Sequence, residues 1–406
     1  MILERLMASR TASSSVVSKW VPLAAICFGN FVIGTGTLIV PGMLPALADG
    51  LRVSLPVAGQ LITAFAFTVC VGAPLLAAVT SRIERRTLLV TTQLLFFAGH
   101  AAAALLSDFV PMLGARIVTA VGAALFTAQA AATSTLLVLP EERGRAIAFA
   151  FLGWSIASVI GMPLGAYVGE TYGWRTGFAL VAAAALAAAG AVRIGLPAGL
   201  RTAPMNFAMW RKLFGHPIIL LVVAVTAIQS SAQNTVFFYL VPGMKAFVDA
   251  TPATVSALLA AFGIAGVVGN AFVGQLADRH GAATLVLWAM LAMLAGHLLW
   301  PWSAGSLPVL ALSIVVWGLG CFATNSAQQA RLAGLSPAHA PVSLALNTSA
   351  VYLGHAVGAA AGGALLVGVL GPSAFASLTV LSVPLFLLAI GLSIYAARRC
   401  RTIRNP

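Results

Sequence analysis

Arg116 is the one charged side chain well inside a long apolar run of this sequence, 110–139. Pro111 marks one end of that run, so a helical rise of 1.5 Å per residue places Arg116 roughly 8 Å deep. An ionisable group at that depth is costly and reads as functional by default, here as a cation that binds a solute or takes part in ion coupling. The competing reading is structural: a guanidinium bonded to carbonyls and to Gln or Thr side chains, or one reaching back to the nearer surface. Polar side chains form the second group of candidates. Gln229, Gln233, Asn234 and Tyr239 fall in one run; Thr324, Asn325, Gln328 and Gln329 in another; Asn347, Ser349, Tyr352 and His355 in a third. Gln129 and Trp154 lie earlier in the chain. Gln229 and Gln233 are four apart, as are Asn325 and Gln329, so each pair shares a helix face. Such groups hydrogen-bond a polar, largely uncharged solute, or one another across helices. Trp154, Phe237, Phe238, Tyr239 and Tyr352 add faces for stacking. Histidine titrates near neutrality, so His355 is the candidate for proton coupling, while His100 and His297 read as structural.

The elements that must position these residues are membrane helices. Of 406 residues, 60% are hydrophobic and 8% charged, against roughly 25% charged in a soluble domain. The nine acidic residues, Glu4, Asp49, Glu84, Asp108, Glu141, Glu142, Glu170, Asp249 and Asp278, all stand beside turn signals or at the ends of apolar runs. They mark out twelve spans: 20–47, 56–80, 88–106, 110–139, 146–169 and 174–196, then 217–247, 253–277, 284–300, 307–335, 342–370 and 372–396. Residues 1–19 read as a cytoplasmic tail, 20–197 as a six-helix half, 198–216 as a cytoplasmic linker, 217–397 as the second half and 398–406 as a basic cytoplasmic tail. With the N-terminus inside, the outer loops hold three basic residues, Arg52, Arg175 and Lys245, against eighteen on the inner side. That bias sets both termini in the cytoplasm. It also accounts for the net charge of +13 without nucleic acid. The cysteines Cys27, Cys70, Cys321 and Cys400 are scattered, with no disulfide or metal-ligand spacing.

The halves repeat. At an offset of 197, Pro45 meets Pro242, Phe65 meets Phe262, Arg82 meets Arg279, and Gly99-His100 meets Gly296-His297. In the same register Gly161 and Gly165 meet Gly358 and Gly362. A parallel repeat of two six-span halves places a site between them near the midplane.

Several motifs resemble those of the major facilitator superfamily. The loop Ser81-Arg82-Ile83-Glu84-Arg85-Arg86 and its copy Gly274-Gln275-Leu276-Ala277-Asp278-Arg279-His280-Gly281 are similar to its G-x-L-x-D-R-x-G-R-R signature. Gly161-Met162-Pro163-Leu164-Gly165 resembles the fifth-helix motif of its exporters, and Arg116 stands where the family often has an intramembrane arginine. Gly42-Met43-Leu44-Pro45 and the tract from Trp317 to Arg331 look like the sugar, purine and chloramphenicol efflux branch. The sequence departs from the pattern at Ser81, which replaces the signature aspartate, at Glu84, which replaces its glycine, and at Thr37, where the efflux branch often carries a glutamate.

The resemblance implies an all-α, twelve-helix major facilitator fold in a bacterial inner membrane. It implies a secondary transporter that exports a small polar or amphipathic solute (drug, sugar or nucleoside-like) by proton antiport, with uptake as the alternative. Arg116, Gln129, Trp154, Gln229, Gln233, Asn234, Tyr239, Asn325, Gln329, Asn347 and Tyr352 are the expected substrate contacts. Arg116 and His355 are the coupling candidates, and Arg82, Arg85, Asp278, Arg279, Gly161, Pro163 and Gly165 the gating residues. The expected partners are the solute, protons and the lipid bilayer, with the chain a monomer. No nucleotide-binding loop is present, so ATP is not a partner, and no cofactor or metal is expected. An intramembrane enzyme would need a carboxylate cluster or a nucleophile–base pair, and the sequence offers neither.

Overall fold

Lipid offers no partner for a free N–H or C=O, so runs of this length must satisfy their backbone internally, as helices. The computed structural model describes the backbone of residues 2–139, 142–201, 216–335, 340–368 and 371–404. The side chains of 1–19, 77, 274, 277–278, 340–341 and 401–404 stand outside that description. The first half is built from α1 (Ile2–Gly42), α2 (Leu44–Gly50), α3 (Leu55–Val79), α4 (Arg85–Leu105), α5 (Phe109–Ser134), α6 (Arg143–Ile156), α7 (Met162–Thr171) and α8 (Trp174–Gly195). The second is built from α9 (Pro217–Phe237), α10 (Leu240–Val248), α11 (Pro252–His280), α12 (Ala282–Leu299), α13 (Leu307–Leu335), α14 (Ala340–Leu365) and α15 (Pro372–Arg404). Residues 2–19 continue the helix of the first span.

Among the described residues, eleven helical segments are long and apolar enough to cross a membrane. The twelfth crossing is α14, 26 residues long, which carries Asn347, Ser349, Tyr352 and His355. It lies between α3 of the first half and α9 of the second. Protein therefore covers the helix whose polarity suits lipid least. The even number of crossings brings both termini to one face of the bundle.

Small residues let the helices of each half approach closely. A Cβ on Gly153 would come 2.1 Å from the Cys27 carbonyl oxygen, on Gly161 2.2 Å from Thr35 Oγ1, and on Gly165 2.5 Å from Ile39. These glycines clamp α1 to α6 and α7. The second half repeats the device, where a Cβ on Gly354 or Gly358 would strike Ser230 or Asn234 of α9.

Between α6 and α7 the chain takes a π turn over Ala157–Gly161, in which the Met162 N–H returns to the Ala157 carbonyl. The cause is local: Pro163 has no N–H to bond the carbonyl four residues back, and the helix widens to bypass it. Gly263 of α11 sits against this turn, and a Cβ there would lie 2.5 Å from the Ser158 carbonyl oxygen.

The halves interlock at the face away from the termini. Lys245 at the end of α10 pairs with Glu170 at the end of α7. The Ser256 hydroxyl of α11 donates to the Pro163 carbonyl at 3.1 Å. Tyr239 fits against Gly59 of α3 so tightly that a Cβ on the glycine would lie 2.3 Å from the phenol oxygen. The hydrogen bonds Lys245–Glu170 and Ser256–Pro163 thus join the halves at this end.

Candidate functional site

α5 carries Arg116 into the interior of the first half, 1% exposed. Phe65 of α3 takes one face of the guanidinium, with Cζ 4.5 Å from the ring centroid. His100 of α4 lies within reach of its charge. Nε and Nη1 of Arg116 find no acceptor among the described residues. His100 is held by its Nδ1, 2.9 Å from the Phe96 carbonyl oxygen. Its Nε2 faces Gly36 of α1, where a Cβ would come within 2.8 Å. The glycine makes room for the imidazole.

The repeat supplies a control for this arrangement. In the second half His297 Nδ1 stands 2.8 Å from the Met293 carbonyl oxygen, the same contact on the paired helix. Phe262 holds the place of Phe65 and packs on Trp317. Where the first half has Arg116 the second has Ser313, whose hydroxyl donates to the Gly296 carbonyl at 2.7 Å.

The amides of the second half are engaged with one another. Thr226 donates to Asn347 Oδ1 at 2.7 Å, and Asn347 Nδ2 approaches Asn325 Oδ1 at 3.4 Å. Gln328 Nε2 donates to Thr226 Oγ1 at 3.1 Å and to the Val222 carbonyl at 3.2 Å. Gln229 Nε2 donates to Gln233 Oε1 at 3.1 Å, and Gln233 Nε2 points to Cys321 Sγ at 3.0 Å. Asn234 Nδ2 returns to the Ser230 carbonyl at 2.7 Å, and the Tyr239 hydroxyl donates to the Ala359 carbonyl at 2.8 Å. Asn325, on α13, is exposed, and Gln329 one turn on is half-buried. His355 is half-buried, with Phe238 and Tyr352 each edge-on to its ring at centroid distances of 5.5 and 5.1 Å. In the first half, half-buried Trp154 lies beside Gly34, and its indole N–H has no acceptor among the described residues.

The structure therefore separates the expected contacts into groups. Asn325 and Asn347 meet in a network with Thr226 and Gln328 that joins α9, α13 and α14, while Gln229 and Gln233 form a second group with Cys321. Gln129 does not join Arg116: thirteen residues along α5 set them about 20 Å apart. Gln129 instead accepts a hydrogen bond from Arg85, at the face bearing the termini.

The signature loop on that face is tied to the start of the linker. Arg85 is 2% exposed; its backbone N–H donates to Leu200 O at 2.9 Å and its Nη2 to Ser81 O at 3.1 Å. Glu84 accepts from the Gly199 N–H at 2.8 Å and from the Thr87 hydroxyl. The Thr87 hydroxyl first, then the Gly199 N–H, hold the Glu84 carboxyl below its ordinary range. Arg82 and Arg279 are exposed, and the side chain of Asp278 lies outside the described residues. Gly161 and Gly165 sit against α1, and Pro163 sets the π turn and accepts from Ser256.

Sequence reasoning missed three features of this arrangement. The Glu170–Lys245 pair joins residues 75 apart, with no local spacing to announce it. His100 was readable as the partner of His297, yet its neighbour Arg116 has no counterpart in the repeat. Thr226 and Cys321 looked like ordinary small residues of apolar spans.

The model of the Major Facilitator Superfamily matches residues 26–245 and 223–399. The inner membrane transport protein YdhP of Escherichia coli (strain K12) is 32% identical over 352 residues, covering 87% of this chain and 90% of that protein. A chloramphenicol resistance protein of Streptomyces lividans is 31% identical over 352 residues, covering 83% of this chain and 87% of that one. Among solved structures, a bacterial homologue of the human lysosomal transporter Spinster, inward-facing and unoccupied, superposes with a TM-score of 0.74 at 16% identity, covering 94% of this chain and 97% of that one.

Proposed function

Because the chain belongs to the major facilitator superfamily, a family of membrane transporters for small solutes, we propose that it is a secondary transporter exporting a small polar or amphipathic organic solute by proton antiport. The observation that carries this reading is the interlock at the face away from the termini. Two six-helix halves that hold each other by Lys245–Glu170, Ser256–Pro163 and Tyr239–Gly59 at one face can rock about that contact and expose a central site to one side at a time. The excess of basic residues puts the termini and the open face in the cytoplasm, so this conformer is closed to the outside and takes its solute from within. Release outward requires the interlock to part and the loops around Arg82, Arg85, Asp278 and Arg279 to close instead.

Export is favoured over uptake by the fifth-helix segment Gly161–Gly165. Its π turn lies at the contact between halves, and the Streptomyces relative at 31% identity is a resistance protein by name. Solute contacts come from Trp154, Asn325, Gln329 and Tyr352, which retain exposure in this conformer, with Arg116 deeper. Gln129, Gln229, Gln233, Asn234, Tyr239 and Asn347 shape the site from behind. His355, set between two aromatic rings on α14, is the coupling group beside Arg116.

The test is flux in liposomes that hold the purified protein, an imposed pH gradient and an internal pH dye. Chloramphenicol, pentoses, nucleosides and lipophilic cations are added singly. Solute-dependent proton movement, lost in His355→Ala, is the expected result. Labelled solute that equilibrates without proton movement would remove the coupling, and a wild-type preparation that moves nothing would remove the transport reading for this panel.

A further inference from the structure

Three arginines among the described residues are buried, and two of them are answered by protein. Arg85 bonds Gln129 and the Ser81 carbonyl; Arg331 donates to Ser393 Oγ at 2.9 Å and to the Ser393 carbonyl at 3.1 Å. Both lie at helix ends near the face bearing the termini. Arg116 lies near the other face, is 1% exposed, and neither Nε nor Nη1 has an acceptor among the described residues. What surrounds it is apolar or neutral: the Phe65 ring from α3, His100 from α4, and α1 at Gly36 behind the imidazole. No acidic residue lies within a span to balance it. Asp108, eight residues earlier, is exposed, and Glu170 is taken by Lys245.

The frame does not require a charge at this place. The second half builds it from Phe262, His297 and the Met293 carbonyl contact with a satisfied Ser313 in place of Arg116, and the neutral Trp317 indole, where the first half has Ala120, packs on Phe262 and His297. An unpaired buried charge costs several kcal/mol, and a fold that keeps one without need keeps it for a ligand. A guanidinium with one face on an aromatic ring and neither Nε nor Nη1 answered keeps two edges, Nε–Nη2 and Nη1–Nη2, each with a pair of parallel N–H donors. That fork matches the two oxygens of a carboxylate or phosphate.

We propose that Arg116 is an anion-binding group of the transport site and that the exported solute carries a carboxylate or phosphate. This rests on the transporter reading and sharpens it. The amides of the second half, largely engaged with one another, then contribute shape and a polar wall, and Arg116 contributes the selective contact.

The test is thermal melting of the purified full-length protein with matched probes: aliphatic and aromatic carboxylates and phosphate esters, each beside its neutral amide or alcohol, with chloride alone as a further arm. The expected result is a melting shift by the anionic member of at least one pair and none by its neutral partner. The shift is lost in Arg116→Gln, and binding is roughly tenfold or more weaker in Arg116→Lys, which keeps the charge without the fork. Arg116→Met without ligand melts higher than wild type, because the uncompensated charge is gone; a structural arginine would give the opposite sign. Equal shifts by both members of every pair, no shift by any anion, a shift retained in Arg116→Gln, or a lower melting point for Arg116→Met would each overturn the proposal. A shift that chloride reproduces alone overturns the solute assignment and leaves an inorganic anion site. Liposome flux separates the two readings. Neutral solutes that move at the wild-type rate through Arg116→Gln remove the anion site and leave the transporter; anion-specific melting with no flux of any solute does the reverse.

Discussion

Asn347 has two oxygen partners, the Thr226 hydroxyl that it accepts and Asn325 that it approaches, and it is fully buried. Asn347→Leu leaves the Thr226 hydroxyl only the long contact to the Val222 carbonyl at 3.4 Å and should lower stability by about 1–3 kcal/mol, seen as an earlier melting transition. If Asn347 instead served mainly to hold solute, the same change would raise KM for transport and leave melting where it was. The distinction was invisible in the sequence. Gln229, Gln233, Asn325 and Asn347 announce themselves as polar residues on apolar helices, and their spacing gives the helix face. Which polar atom meets which depends on three helices far apart in the chain, and on unremarkable residues such as Thr226 and Cys321. Arg116 was legible for the opposite reason: a charge among apolar residues needs no partner to be noticed.

At the scale of elements, the π turn over Ala157–Gly161 and its neighbour Gly263 form one contact between the halves. Gly263→Val places a branched side chain where a single Cβ already lies 2.5 Å from Ser158 O, and overpacking of that kind costs about 1–3 kcal/mol. The expected outcome is a slower transport cycle, with substrate affinity less affected, checked by separate kcat and KM measurements. Pro163 and the glycines around it announce an irregularity here, but a proline inside a span reads equally as a kink. The linker clasp was hidden in a departure from the family pattern. Glu84 stands where the signature has glycine, and the structure puts its carboxylate on the Gly199 N–H. Because its folded pKa is depressed, the clasp holds fully above the ordinary carboxylate value of 4.5 and loosens as pH falls through the lowered one. Hydrogen exchange at Gly199 and Leu200 should accelerate in Glu84→Gly at neutral pH, and in wild type only at pH below the ordinary carboxylate value. Equal protection in both proteins at pH 7 would leave Glu84 without this role.

For the molecule as a whole, twelve crossings, two halves and their duplication were all readable, because lipid leaves helices as the practical solution for such runs. The repeat register then predicts which helices are equivalent. What composition could not supply is the state of the machine: which end is joined. Lys245–Glu170 joins it, with side chains 32% and 11% exposed, so screening limits the pair to about 1 kcal/mol or less. Lys245→Ala should therefore shift the balance toward the outward-open form by roughly fivefold at most. Thiol labelling of a cysteine placed at Ser256 from outside the membrane measures this. A labelling rate unchanged from the Lys245 background would mean that the apolar and glycine contacts alone hold the end shut.

The clasp of Gly199 and Leu200 to Glu84 and Arg85 also bears on how such a chain is made. Both of these contacts at the start of the connector are made by the half that leaves the ribosome first. That half can close its own loops, seat Arg85 and clamp α1 to α6 and α7 before any of the second half exists. Pro56 of α3 and the π turn then wait in the bilayer for Gly363 of α14 and Gly263 of α11 to arrive. Biogenesis on this order would end in the docking of the second half onto surfaces the first has already set.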